Sequence, residues 1–519
     1  TAWGTARQLT VNTVGAAVGS PDASELIPSP TCTGDFCRGF RVGATERCVI
    51  RGRDIAGQLT PLNGGSGSVD VNIPFVTTPF TTVSNGNSNF TNVVGVGDVN
   101  ADGGQDMLYG VLNQPVQLFF GGTSSAAFDT TADVTFTGAA ASGFGAVMAS
   151  IGDVNGDTIA DFAISSRAFN PGSAANSGKV FIFFGRAANT WPSAINLSTG
   201  CNADVCLTGS ASGAFFGWEM SGTDFNGDGT SDVVISARAA SSNVGAVYVL
   251  LGGTQFQVAT GTNINVPSGN PNGFVITPPA SRSFFGHGLA SVGNGAIGDT
   301  HGDLAISALG VSAGNPGALF FLNGEDYPNG SSGLVTPSAS PMIEVSTGSG
   351  ADFGSPVRAI GDFDGDGLGD LALGRNFSAG SGLGSGEMYL RNANVPTFSS
   401  GPGFRLDFAA TGVDNDYGTF IARGLYSHAS LGSTGDLDGD GLTEFAVGSA
   451  AGGSGGILAL FYGTTTPVAR TRANADFSLT SSGTSLLAPN FIGDFDGDGF
   501  HDLAVVDGGS GTDRIILLR

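Results

Sequence analysis

Short apolar runs recur along the chain, each ended by glycine or by a turn rich in Asp and Asn. VFIFFG at 180–185, AVYVLLGG at 246–253 and LALFYG at 458–463 are examples, and Leu371-Ala372-Leu373 is a shorter one. Runs of about four to eight apolar residues with glycine punctuation predict buried strands, because they are too short for helices. Another run, such as GFVIT at 273–277, follows in the same unit. About four strands therefore fall in each unit of roughly 65 residues.

One block punctuates these strands. It reads GDVNADGGQDMLYG from Gly97, GDVNGDTIADFAIS from Gly152, TDFNGDGTSDVVIS from Thr223, GDFDGDGLGDLALG from Gly361, GDLDGDGLTEFAVG from Gly435 and GDFDGDGFHDLAVV from Gly493. A degenerate copy, GNGAIGDTHGDLAIS, starts at Gly293. Aromatic-glycine pairs precede several copies: Phe144-Gly145, Phe216-Gly217, Phe285-Gly286, Phe353-Gly354 and Tyr417-Gly418. Repeats of this length with four short strands each predict an all-β fold, a β-propeller of four-stranded blades. The segment IILLR at 515–519 fits the third strand of a last blade. An N-terminal strand, expected at Val69–Phe75, then completes that blade and closes the ring. The expected division is an N-terminal arm or small cap over 1–60 and the propeller over 61–519.

The block reduces to D-x-[DN]-x-D-G-x-x-[DE]. Oxygens at its first, third, fifth and ninth positions converge on one hard cation, and the seventh carbonyl completes the shell, which is the donor set of calcium. Glycine at the sixth position permits the sharp turn. An EF-hand loop needs glutamate at its twelfth position between helices, whereas here the ninth position leads into a strand. The expected ligands are Asp98, Asn100, Asp102, Gly104 and Asp106 in the first copy, and Asp153, Asn155, Asp157, Ile159 and Asp161 in the second. The third copy has Asp224, Asn226, Asp228, Thr230 and Asp232, and the fourth Asp362, Asp364, Asp366, Leu368 and Asp370. The fifth offers Asp436, Asp438, Asp440, Leu442 and Glu444, and the sixth Asp494, Asp496, Asp498, Phe500 and Asp502. Thr158 replaces the turn glycine in the second copy. These six copies hold 21 of the chain's 44 acidic residues, a density that is repulsive without a cation. The copy near Asn294 keeps only Asp299 and Asp303, so it is expected to hold no ion.

Composition narrows the function. The 519 residues include 86 glycines and only 12% charged residues, too few for long solvated helices. A net charge of −24 excludes nucleic acid and disfavours an anionic membrane surface. Six calcium ions would bring that charge to about −12. No apolar run is long enough to span a bilayer. Cys32, Cys37, Cys48, Cys201 and Cys206 lack zinc-site spacing. They fit one or two local disulfides plus a leftover thiol, with Cys32–Cys37 and Cys201–Cys206 the short pairs and Cys32–Cys48 an alternative. Disulfides and the millimolar ion such sites need both point outside the cytosol.

The block with its upstream Phe-Gly resembles the FG-GAP repeat of the integrin α-subunit propeller, over residues from about 65 to 519. The resemblance implies seven blades with calcium loops on one face, and carries over no partner-binding residue. The expected function is a secreted or cell-surface adhesion module for a glycan or surface protein. The alternative is a subunit of an extracellular filament, sheath or layer that binds copies of itself through the N-terminal arm. No nucleophile motif or clustered histidines nominate an enzyme. Three long connections are candidates for recognition: Ala187–Cys206 with Trp191, Thr254–Ser283 and Tyr417–Ser433. Trp191 fits either sugar stacking or packing.

Overall fold

A computed structural model describes residues 91–122, 131–170, 172, 175–254, 256–266, 273–278, 283–293, 301–309, 318–322, 324, 333–335, 351–363, 365, 369–377, 386–389, 405–407, 435–437, 441–449, 457–463, 477–480, 485–496, 501–508 and 512–518, with strands at 35–40, 45–53, 59–61, 69–74 and 81–84. The predicted strands form a succession of antiparallel meanders in chain order. Sheet 1 contains Thr91–Gly97, Asp106–Val111, Val116–Phe119 and Val134–Thr137. Sheet 2 contains Phe144–Gly152, Asp161–Ser166, Lys179–Phe183 and Val205–Gly209. Sheet 3 contains Phe216–Thr223, Asp232–Ala237, Ala246–Leu250 and Gly273–Ile276. Sheet 4 contains Leu289–Gly293, Asp303–Ala308 and Ala318–Leu322. Sheet 5 contains Ala351–Gly361, Asp370–Phe377, Gly386–Tyr389 and Arg405–Asp407. Sheet 6 contains Phe445–Ser449, Ile457–Phe461 and Phe477–Thr480. Sheet 7 contains Ser485–Gly493, Asp502–Gly508 and Thr512–Leu518.

The first strands of neighbouring sheets lie against one another from sheet 1 through sheet 5, and the first strand of sheet 7 lies against that of sheet 1. The fold is all-β and propeller-like. Its core lies between sheets, because each second strand is covered on both faces. Asp106–Val111, Asp161–Ser166, Asp232–Ala237 and Asp303–Ala308 are buried at every position. The seam between the last and first sheets is apolar too: Val93, Met107, Tyr109 and Phe119 pack with Ile492, Phe495, Ala504 and Val506.

Two features differ from expectation. The strand that completes the last sheet is Thr81–Ser84, paired antiparallel with Thr512–Leu518. The expected Val69–Phe75 segment instead supplies Val69–Pro74 to a separate N-terminal sheet, where it pairs with Thr45–Arg53 beside Asp35–Phe40 and Leu59–Pro61. The N-terminal and C-terminal strands do share one sheet, but the donor lies later in the chain.

The second difference concerns the long connections. Ala194–Asn196 pairs in parallel with Val134–Thr137, the outer strand of the preceding sheet. Thr262–Val266 does the same to Val205–Gly209, and Gly333–Val335 to Gly273–Ile276. Sheets 1 to 3 thereby gain a fifth strand that covers an edge otherwise open to foreign pairing.

Trp191, in the first of these connections, serves packing. Its ring stacks on Phe162 at 5.9 Å, the Arg186 guanidinium lies 4.7 Å from its centroid, and its Nε1 donates to the Arg186 carbonyl at 3.0 Å. Cys201 and Cys206 form a disulfide in the same connection. The side chains of Cys32, Cys37 and Cys48, and the connection 417–433, lie outside the described residues.

Candidate metal centre

In sheets 1, 2, 3, 5 and 7 the acidic block is the loop between the first and second strands, and in sheet 6 it leads into Phe445–Ser449. The first three loops are described from end to end and repeat one geometry. In the first, both oxygens of Asp98 accept backbone amides, Oδ1 from Asp102 at 3.2 Å and Oδ2 from Gly103 at 2.8 Å. Asn100 Oδ1 accepts the Asp102 amide at 2.9 Å, and Asp102 Oδ1 accepts that of Gly104 at 2.8 Å. Asn100 Nδ2 donates to Asp102 Oδ2 at 2.9 Å. The second loop repeats the set through Asp153, Asn155 and Asp157, and the third through Asp224, Asn226 and Asp228. Side-chain oxygens of the first, third and fifth positions are thus folded back over the turn.

Thr158 stands where the other complete loops have glycine. It adopts the same left-handed backbone, φ +73° against +92° at Gly103 and +88° at Gly229. The second loop keeps its shape at the cost of a strained β-branched residue.

The ninth position works differently. Asp106, Asp161 and Asp232 are fully buried at the start of the second strand. Asp106 accepts the amide of Val99 at 2.8 Å and that of Gly121 at 2.9 Å. Asp161 accepts from Val154 and Gly185, and Asp232 from Phe225 and Gly252. Each carboxylate ties the loop to the glycine that ends the third strand. Burial pushes Asp106 up to about 8 and Asp161 and Asp232 up to about 7, well above 3.8, although their two amide bonds pull the other way. The neighbouring loop aspartates add to the rise. Carboxylates in such surroundings ionise at neutral pH when a cation sits beside them.

The later copies keep the same frame where they are described. Phe363 donates to Asp370, Leu437 to Glu444 and Phe495 to Asp502. Asp362 accepts from Gly365, and Asp436 from Gly441. In the sixth copy the carboxylates of Asp494, Asp496 and Asp502 come within 4.8 Å of one another, with Asp496 and Asp502 buried. Two buried acids and a third at that distance fit a divalent cation, and the all-oxygen donor set fits a hard one. Asp364, Asp366, Leu368, Asp438, Asp440, Asp498 and Phe500 lie outside the described residues, as does the degenerate copy from 294 to 300. From that copy Asp303 is described: it is buried and accepts the Gly324 amide at 3.2 Å.

Sequence reasoning missed the second position. Val99, Val154, Phe225, Phe363, Leu437 and Phe495 are all buried. The signal was present, since every complete copy has an apolar residue there. The Phe-Gly pair also gains a physical reason. Gly217 has φ +84°, and a Cβ there would lie 2.8 Å from Val180 Cγ2 of the preceding sheet.

Residues 216–250 match the profile of the FG-GAP repeat. Integrin alpha-PS5 of Drosophila melanogaster is 33% identical over 171 residues, which cover 31% of this chain and 15% of that protein. Integrin alpha-5 of Xenopus laevis is 29% identical over 179 residues, covering 32% and 15%. Phosphatidylinositol-glycan-specific phospholipase D of Mus musculus is 29% identical over 97 residues, covering 19% and 10%. The matched stretches span only a small part of each relative. Together the matches support an integrin-alpha-like FG-GAP β-propeller. Among the described residues no helix is long and apolar enough to cross a membrane.

Proposed function

We propose that this chain is a secreted or cell-surface calcium-binding propeller of seven blades, acting as an adhesion module for a glycan or a surface protein. The observation that carries the reading is the loop geometry shared by the first three copies, each ending on a buried acid. Calcium is assigned to all six complete copies. The first, third, fifth and ninth side chains and the seventh carbonyl are the ligands, and the copy near Asn294 is left without an ion. The ion would offset two of the three or four negative charges in each loop and lock the turn that leads into the second strand. The residues themselves hold the loop: the ninth carboxylate pins the third strand, and the second side chain fills the core between sheets.

The likeness to integrin alpha subunits supports adhesion. The phospholipase relative makes one enzymatic test worthwhile: the chain is expected to leave phosphatidylinositol-glycan anchors intact. Binding to a glycan array and to intact cells in calcium tests the adhesion reading, which requires a signal that EDTA removes. No binding to either surface would refute it.

The N-terminal sheet favours a separate unit before the ring, comprising the proposed 1–60 arm or cap and the Val69–Pro74 strand paired with it. If that unit links copies of the chain, electron microscopy of the native material will show regular polymers; isolated discs exclude the filament reading.

A further inference from the structure

We propose that the six ion loops form a coupled chain in which loading one raises the affinity of its neighbours; this rests on the calcium reading above. The loops are joined by their own backbones. At four of the five junctions between successive ion loops, and where the degenerate copy meets the third, the amide at the eighth position of one copy donates to the carbonyl of the first aspartate of the copy before it. Ala160 donates to Asp98 at 3.4 Å, Ser231 to Asp153 at 3.0 Å, Gly302 to Asp224 at 2.6 Å and Thr443 to Asp362 at 2.9 Å. Gln105 donates to Asp494 at 3.4 Å, which carries the series from the last copy back to the first.

A second bond runs beside it. The carbonyl of the second position accepts an amide from the end of the next sheet's third strand: Val99 from Arg186 at 2.9 Å, Val154 from Gly253 at 2.8 Å and Phe495 from Gly122 at 2.8 Å. The eighth side chain also fills the space beside the glycine that precedes the first aspartate. A Cβ on Gly97 would meet Ala160, one on Gly152 Ser231, one on Gly361 Thr443, one on Gly435 His501 and one on Gly493 Gln105.

These bonds fall on the residues that the ion must move. The first aspartate offers its carboxylate to its own ion and its carbonyl to the next copy. The eighth residue precedes the ninth carboxylate and donates to the previous copy. An ion that draws the first and ninth positions of one loop together therefore fixes a donor for the loop before it and an acceptor for the loop after it. Ordering paid for by one ion lowers the ordering cost of the next, which is positive coupling.

The degenerate copy separates the two roles. It keeps only Asp299 and Asp303 of the acids, yet Gly302 still donates to Asp224 and Asp303 still accepts from Gly324. The seam is kept where the ion set is incomplete. The coupled chain thus has ends at the third and fourth copies and runs between them through the sixth and first.

Calcium titration of the full chain by calorimetry, with thermal melts in calcium and EDTA, tests this. Asp102, Asp157 and Asp228 are exposed, so their alanine variants spare the core. The wild type should bind with a Hill coefficient above 1. Asp157→Ala should weaken the neighbouring first and third sites by about fivefold or more, besides deleting one ion. In adjacent copies, Asp102→Ala with Asp157→Ala should lower the calcium-dependent midpoint by less than the sum of the singles, because they share one coupling. Asp102→Ala with Asp228→Ala, one copy apart, should add. A Hill coefficient of 1 with both pairs additive overturns the coupling. No heat and no midpoint change with calcium overturns the calcium reading instead. Hydrogen exchange of the wild type gives a check free of variants: the Ala160 and Ser231 amides should gain protection at the same calcium concentration, and protection at separate concentrations overturns the proposal.

Discussion

Replacing Asp161 by asparagine keeps the side chain's shape and removes its charge. In the folded chain Oδ2 accepts the Val154 amide at 2.9 Å and Oδ1 the Gly185 amide at 2.8 Å, with no exposure to solvent. Asparagine offers one oxygen, so its NH2 group must face one of two buried amides. Stranding that donor costs about 1–3 kcal/mol. Loss of the ion adds about 0.4–1.4 kcal/mol at about 1 mM calcium, for a dissociation constant of about 10⁻⁴ to 10⁻³ M. The expected penalty is therefore about 1.5–4.5 kcal/mol in calcium near pH 8. In EDTA near pH 5.5 the comparison changes. There the wild-type carboxyl, pushed up to about 7, is protonated and carries the same surplus donor as asparagine. The penalty should shrink toward zero. Thermal melts of Asp161→Asn and wild type, followed by circular dichroism under both conditions, read this directly. Equal differences in midpoint under the two conditions would mean that the charge and the ion at Asp161 contribute nothing.

The same carboxylates set a pH dependence. Asp106, Asp161 and Asp232 are raised above 3.8, so in metal-free protein their contribution is complete below about that pH and is lost as pH rises through about 7 to 8. The midpoint in EDTA should fall over that rise, by up to about 1.4 kcal/mol per pH unit for each titrating group, while calcium should suppress the fall; a midpoint in EDTA that climbs with pH contradicts this. Deleting residues 1–76 should leave a folded ring, because Thr81–Ser84 remains to complete the last sheet, whereas deleting 1–88 should lower the midpoint severely; equal midpoints for the two truncations would place the closure elsewhere. Trp191→Ala should cost about 2 kcal/mol of stability through lost packing on Phe162 and leave binding to cells unchanged, as adhesion and melting assays will show.

The acidic loops were legible because their residues lie within nine of one another, so spacing alone places their oxygens on one turn. The strands were legible from their apolar runs for the same local reason. What escaped sequence reasoning depends on partners about one repeat away. The Val99 and Asp98 carbonyls bind amides of the next sheet, and no local pattern marks a carbonyl. Ala194–Asn196 and Thr262–Val266 were hidden inside connections read as recognition loops, because strands of three and five residues gain stability only from the edge they cover. The closing strand was misplaced because VDVNIPF alternates more clearly than the four-residue TTVS that pairs with Thr512–Leu518. Pairing, rather than pattern, decides between two such candidates.

If the acidic loops are calcium sites, the folded chain retains the ion through dialysis. Equilibrium dialysis of the full chain against millimolar calcium, with the bound metal counted by mass spectrometry, tests it most directly. Six complete oxygen sets require about six ions per chain, falling by about one when Asp494, Asp496 and Asp502 are all replaced by alanine. A chain that retains no calcium, or that keeps the same number after that triple substitution, does not hold the ion in these loops.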